Sequence, residues 1–164
     1  MDSSAAAPAF LQALETSWLG ELARQSLWLY PLAGVTHVIG LSLLLGSIVA
    51  FDLRVLGVAR RLPLAALGHY LLPLAASGFC LQAASGSVML AADATQLAGN
   101  PAFQLKLSLI TLAGLNIAFF HLRARPGLAA LVDNPLPGLL KLSAAVSLSI
   151  WLTVAVCGRL IAYF

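Results

Sequence analysis

Four long stretches of the chain carry almost only apolar side chains, and short polar or turn-forming segments separate them. The stretches cover Leu27–Asp52, Tyr70–Ala92, Pro101–Leu122 and Leu139–Tyr163. Each can cross the ~30 Å hydrocarbon core of a bilayer as a helix of about 20 residues. The separating segments contain Arg60-Arg61-Leu62-Pro63, Gly99-Asn100-Pro101 and Asp133–Gly138. Because these connections are short, consecutive helices are predicted to run antiparallel.

A different pattern precedes the first stretch, in residues 8–25. Large apolar residues recur there at every fourth position, while acidic and basic residues fall elsewhere around a helical wheel; the apolar positions are Phe10, Leu14, Trp18 and Leu22. This spacing predicts an amphipathic helix on the outer membrane surface. The alternative is a short extension packed on neighbouring loops. The chain is thus predicted to be all-α, an integral membrane four-helix antiparallel bundle (residues 27–164) with an N-terminal amphipathic interfacial helix (residues 1–26).

Composition supports a membrane protein, since 60% of the residues are hydrophobic and only 9% are charged. Soluble domains carry roughly 25% charged residues. The N-terminus, Met1-Asp2-Ser3-Ser4, has no positive segment of the kind that opens a secretory signal. The two cysteines lie within apolar runs, so no disulfide is inferred.

The basic residues predict an orientation rather than a nucleic-acid partner, because they are few and unevenly placed. They concentrate in the first and third connections and next to them, at Arg54, Arg60, Arg61, Arg123, Arg125 and Lys141. The positive-inside rule places these two connections in the cytoplasm and both termini outside. Trp28, Tyr30 and Tyr163 would then form an outer aromatic belt.

The candidate chemistry lies in polar residues within the predicted spans, because phosphate-binding loops, CxxC pairs and HExxH helices are all absent from the sequence. For Gln82 and Asn116 the simplest interpretation is a hydrogen bond between helices. His37, His69 and His121 are stronger candidates, because imidazole is a common metal ligand and a haem axial ligand. In each case the alternative is a histidine bonded to a neighbouring helix.

Glycines flank these histidines in a way that would leave room for a flat porphyrin. Gly34 and Gly40 lie three residues to either side of His37, and Gly114 lies two helical turns before His121. Small residues also favour plain helix packing in membranes. His37 lies about 22 Å from Asp52 along a helix, whereas His69 and His121 lie near the inner surface. An upright bundle therefore favours His69 with His121 as a haem pair, and leaves His37 for another partner or a five-coordinate site.

The pattern of residues resembles a group of uncharacterised bacterial four-helix inner-membrane proteins. The resemblance rests on Trp28-Leu-Tyr-Pro31, His37-Val-Ile-Gly40, Asp52-Leu-Arg-Val-Leu-Gly57 and the segment from Lys106 to His121. A weaker similarity is to the haem-binding bacterial protoporphyrinogen oxidase family. That similarity implies that His37 is a b-haem ligand and that Lys106 contacts a propionate or a substrate. Copper-resistance inner-membrane proteins are a looser comparison.

Together these features predict an inner-membrane protein that binds b-type haem through histidine and serves electron transfer or a haem-dependent redox partner. Such a role would make the chain a component of a haem-dependent oxidoreductase. The expected partners are the lipid bilayer, a redox protein or further copies of the chain. Two alternatives stay open, a cofactor-free accessory subunit and a small transporter component.

Overall fold

The computed structural model describes residues 8–124 and 136–164, and every regular element among them is helical. The elements are α1 (Ala9–Glu15), α2 (Trp18–Gln25), α3 (Leu29–Leu56), α4 (Leu64–Ala92), α5 (Ala94–Gly99), α6 (Pro101–Ala124) and α7 (Gly138–Leu160), followed by a 3-10 turn at Ile161–Tyr163. The predicted all-α class is confirmed. Four of the helices, α3, α4, α6 and α7, are long and apolar enough to cross a membrane.

The apolar surface of these four helices faces outward to a large extent. Of the most apolar stretch of α6, only 6% is buried inside the protein. Exposing such a large apolar surface to water is unfavourable, whereas the hydrocarbon core of a bilayer solvates it well.

The connection between α3 and α4 is shorter than the sequence predicts. Gly57, at φ +109°, ends α3 in a left-handed conformation that glycine adopts without strain. Pro63 then precedes α4, which begins at Leu64 rather than at Tyr70. The Arg54 side chain donates to the Leu62 and Arg60 carbonyl oxygens and so fixes the connection.

The N-terminal segment is two short helices, not the single amphipathic helix predicted over residues 8–25. The break falls at Thr16 and Ser17, whose side chains compete with the helical hydrogen bonds. The Thr16 hydroxyl donates back to the Gln12 carbonyl oxygen. Ser17 caps α2 by accepting a hydrogen bond from the Gly20 N–H. A prediction based on apolar spacing alone therefore missed the interruption.

These two short helices are held against the end of α4 and the start of α5. The Glu15 carboxylate accepts hydrogen bonds from the Thr95 N–H at 2.7 Å and the Thr95 hydroxyl at 2.8 Å. Arg24 donates to the Ala92 carbonyl oxygen at 3.0 Å. The N-terminal segment therefore packs on neighbouring helices, rather than on the loops named in the alternative interpretation of the sequence.

Helices α3 and α4 form the most extensive contact among the described elements. Gly40 faces Gly78 and Gln82, whereas His37, nearer the start of α3, faces Ser85. Rising residue numbers on α3 therefore meet falling numbers on α4, so the two helices are antiparallel.

Helix α7 packs against both α3 and α6. Near the α3–α4 connection, Phe51 and Val55 of α3 share a core cluster with Leu140 and Ala144 of α7. Further along, Leu44 and Ile48 share another cluster with residues that include Ile150, Trp151 and Val154. The long helices thus lie side by side in the order α4, α3, α7, α6.

At the end of the helices where α4, α5 and α6 meet, Asn100 ties three segments together. Its Oδ1 accepts from the N–H groups of Ala102 and Phe103, which caps α6. Its Nδ2 donates to the Ile161 carbonyl oxygen at 3.0 Å. This residue fixes the start of α6 against the end of α7. The sequence predicts only a turn at this point.

The third connection lies mostly outside the described residues. This applies to Arg125 and to the predicted turn from Asp133 as far as Pro135. Pro137 immediately precedes α7, which begins at Gly138.

Candidate functional site

His37 lies on α3, nine residues into the helix, and its ring packs against α4. The ring Nδ1 lies 3.1 Å from the Ser85 hydroxyl oxygen, and that hydroxyl donates its own proton to the Leu81 carbonyl oxygen at 2.6 Å. With its proton engaged there, Ser85 Oγ is placed to accept a hydrogen bond from Nδ1–H, and the Gln82 backbone is a further hydrogen-bonding neighbour of the ring. In the neutral ring this leaves the lone pair on Nε2. The same arrangement fixes the ring of many metal-ligating histidines.

Gly86 allows the His37 ring to lie close to α4. A Cβ atom at Gly86 would be 3.3 Å from Cε1 of His37. Ser85 was not predicted as part of the site. The signal that could have found Ser85 is a hydroxyl residue on α4 at the same depth as the histidine.

Lys106 of α6 lies at the same end of the long helices as His37, beside the last turns of α7. It is close enough to His37 to interact electrostatically, and Cys157 of α7 is a further neighbour. Its Nζ would lie 3.8 Å from a Cβ atom at Gly158. Within residues 8–124 and 136–164 no carboxylate pairs with this ammonium group, so the lysine is a partly buried cation without a counter-charge.

The flanking glycines play different parts in the structure. A Cβ atom at Gly34 or at Gly114 would have no neighbour within 4 Å, so both positions border open space. Gly40 instead packs directly on α4, where a Cβ atom would lie 2.8 Å from the Gly78 carbonyl oxygen. Of the two glycines around His37, one leaves space and the other lets two helices touch.

His121 and His69 lie towards the other end of the long helices, near the connection between α3 and α4. The His121 Nδ1 donates to the Ile117 carbonyl oxygen at 2.9 Å, which again leaves the Nε2 lone pair available. His121 and Gly114 both line a cavity between the helices, but His69 does not. The described part of the chain contains no group of three metal-capable side chains among His, Cys, Asp and Glu.

That cavity measures about 400 Å³ and has a mostly apolar lining with a few polar side chains. Asp52 lines it although the residue is only 6% exposed, and Trp151 of α7 also lines it. The sequence places Asp52 at the end of the first predicted span, towards the inner surface, whereas the structure buries it. An acidic residue inside an apolar stretch was the available signal, because polar groups in lipid usually face the protein interior.

Asn116 makes the hydrogen bond between helices that the sequence predicts for it in its simplest interpretation. Its Nδ2 donates to the Ser143 carbonyl oxygen at 3.0 Å, and the Ser143 hydroxyl donates to its Oδ1 at 2.9 Å. Asn116 is therefore a packing residue that joins α6 to α7.

Comparison with known proteins gives one match. Residues 10–164 match a family of unknown function (DUF6644), which covers nearly the whole chain. No curated protein and no solved structure matches the chain. With its four long apolar helices and its match across all of them, the chain belongs to this family of unknown function, DUF6644.

Proposed function

We propose that this protein resides in a bacterial inner membrane, binds b-type haem through His37 and serves electron transfer to a redox partner. The family match supplies no activity, so the proposal rests on the residues around His37. We also propose that the first and third connections face the cytoplasm and that both termini lie outside. The arginines at these connections support this orientation.

One observation carries the haem proposal, namely the state of the His37 ring. Its Nδ1–H is engaged by Ser85, and the neutral ring then carries its lone pair on Nε2. A histidine that only joined two helices would be equally satisfied by this one bond. However, the uncompensated ammonium of Lys106 is close enough to interact with the ring electrostatically. An axial ligand and a cation for a propionate are therefore available from two different helices.

The surroundings of His37 fit a flat apolar ligand. Gly34, one turn away on α3, borders open space, so no side chain there would block a porphyrin edge. Bound haem would supply one-electron chemistry at its iron, while the protein would supply the ligand, the counter-charge and the dry environment.

The helical positions of the three histidines make a haem site at His37 a single-histidine site, the five-coordinate alternative that the sequence leaves open for this residue. His37 lies about 12 Å from the start of α3. His121 lies at the opposite end of α6, and His69 near the corresponding end of α4. His37 therefore cannot share a metal with either of the other two without a large rearrangement.

The visible spectrum of detergent-purified protein, expressed with sufficient haem supply, tests this proposal. We expect a Soret band that shifts on reduction with dithionite. His37→Ala should abolish the band, and Ser85→Ala and Lys106→Met should weaken haem retention. His69→Ala is the matched control and should keep the spectrum. A colourless protein that elutes as a folded, monodisperse species and takes up no added haemin would overturn the proposal in favour of a cofactor-free accessory subunit.

A further inference from the structure

The cavity between the long helices has walls from all four of them and lies at a distance from His37. Helices α4 and α6, at the two ends of the order α4, α3, α7, α6, do not pack extensively on each other in the described structure, and both contribute residues to the cavity lining. Most of its lining is apolar and includes Phe79 of α4 and Ile117 and Phe120 of α6. A molecule dissolved in the bilayer could therefore enter sideways.

Two polar atoms at this cavity have no hydrogen-bond partner within the residues that the structure describes. They are Oδ2 of Asp52 and Nε1 of Trp151, both in side chains at least nine-tenths buried. Buried polar atoms are nearly always bonded, so each such atom calls for an explanation. One is an acceptor and the other can only donate. Other polar groups of the lining, Asn116 and Ser143, already bond to each other.

The chemistry of the two atoms restricts the missing partner. Ser147, the hydrogen-bonding neighbour of Asp52, lies four residues before Trp151 on α7, about one helical turn away. A ligand that bonds both side chains needs an acceptor for the indole N–H and a second oxygen that can donate to a carboxylate or accept from a carboxylic acid. The two ring oxygens of a quinone or quinol meet both requirements.

We propose that this cavity binds the ring of a lipid-soluble quinone or quinol. The Trp151 N–H donates to one ring oxygen. Asp52 accepts from the other oxygen when that is a quinol hydroxyl, or donates to it as a neutral acid when it is a quinone carbonyl. No lysine or arginine lines the cavity and Asp52 does, so the anionic head of a phospholipid or a fatty acid would find no permanent positive charge there. The volume is within the range of small-molecule sites. This proposal is independent of the haem at His37.

Trp151 itself can report on binding, because the chain has only three tryptophans. With Trp18→Phe and Trp28→Phe as background, Trp151 is the single fluorophore. We expect 2,3-dimethoxy-5-methyl-6-decyl-1,4-benzoquinone to quench it saturably. A second background that keeps only Trp18, which is exposed and far from the cavity, should show a linear, non-saturating response.

Substitution of Asp52 decides whether the site is specific. Asp52→Leu should raise the dissociation constant by about tenfold or more, because it removes one of two polar contacts. Asp93→Asn, directly after the end of α4 that lies away from the cavity, should leave the dissociation constant unchanged. If Asp52→Leu does not fold, Asp52→Asn must still weaken binding measurably. Quenching that is linear, or unaffected by either Asp52 variant, or abolished equally by 1-decanol as competitor, would overturn the proposal.

Discussion

Gly40 of α3 and Gly78 of α4 bring the backbones of the two helices into direct contact. A Cβ atom at Gly78 would lie 2.8 Å from the Gly40 carbonyl oxygen and 2.6 Å from the Leu44 nitrogen. Real Cβ atoms do not approach backbone this closely, so only glycine fits without displacing one helix. The contact lies one turn from His37 and therefore sets how closely α4 holds the histidine ring.

Gly78→Ala should consequently destabilise the protein by about 1–3 kcal/mol, the usual cost of overpacking. The measurement is unfolding in mixed micelles by titration with sodium dodecyl sulfate, followed by far-UV circular dichroism. Gly46→Ala on α3 is the matched control, because its Cβ atom would meet nothing within 4 Å. Its stability should stay the same or increase by up to about 1 kcal/mol. Equal losses at the two positions would contradict the close contact.

The glycines around His37 show how far the sequence could predict this site. The apolar spans follow from local composition, and their existence was predicted correctly. Which face of α3 meets α4 depends on helix rotation, which sequence spacing does not define. Gly34 and Gly40 flank His37 equally in sequence, but only Gly34 borders open space.

Asp52 illustrates a second reason why the prediction was incomplete. Its closeness to Arg54 in sequence favours a residue at the membrane surface. In the structure α3 continues to Leu56, and Asp52 turns inward towards Ser147 while Arg54 turns to the connection. Side chains two residues apart on a helix point in different directions, so Asp52 does not share the surface position of Arg54.

The contact between Glu15 and Thr95 predicts a pH-dependent docking of the N-terminal helices. The Thr95 N–H and hydroxyl, aided by the nearby Arg24, hold the pKa of Glu15 below its ordinary value of 4.5. A carboxylate with a lowered pKa stabilises the folded arrangement above its unfolded pKa, and this contribution is lost as the pH falls through the folded pKa. We therefore expect α1 and α2 to loosen from α5 in acid, below about pH 4.5.

Hydrogen exchange of the segment that contains Thr95, corrected for the intrinsic rate at each pH, measures this loosening. Protection should fall between about pH 5.5 and pH 3 in the unsubstituted protein. Glu15→Gln should show weaker protection that no longer varies with pH. Glu21→Gln changes an exposed acidic residue of α2 and should behave like the unsubstituted protein. A pH response that survives in Glu15→Gln would assign the effect to another group.

The proposed orientation predicts which engineered cysteines an impermeant maleimide reaches in intact cells stripped of their outer membrane. In a background with Cys80→Ala and Cys157→Ala, Glu21→Cys on α2 should be labelled from outside. Arg61→Cys in the first connection should be labelled only after permeabilisation, because the arginines there favour the cytoplasmic side. Both positions are exposed in the structure, so access differs only through the membrane. The reverse labelling pattern would invert the topology, and His37 would then lie towards the cytoplasmic half of the bilayer rather than the outer half.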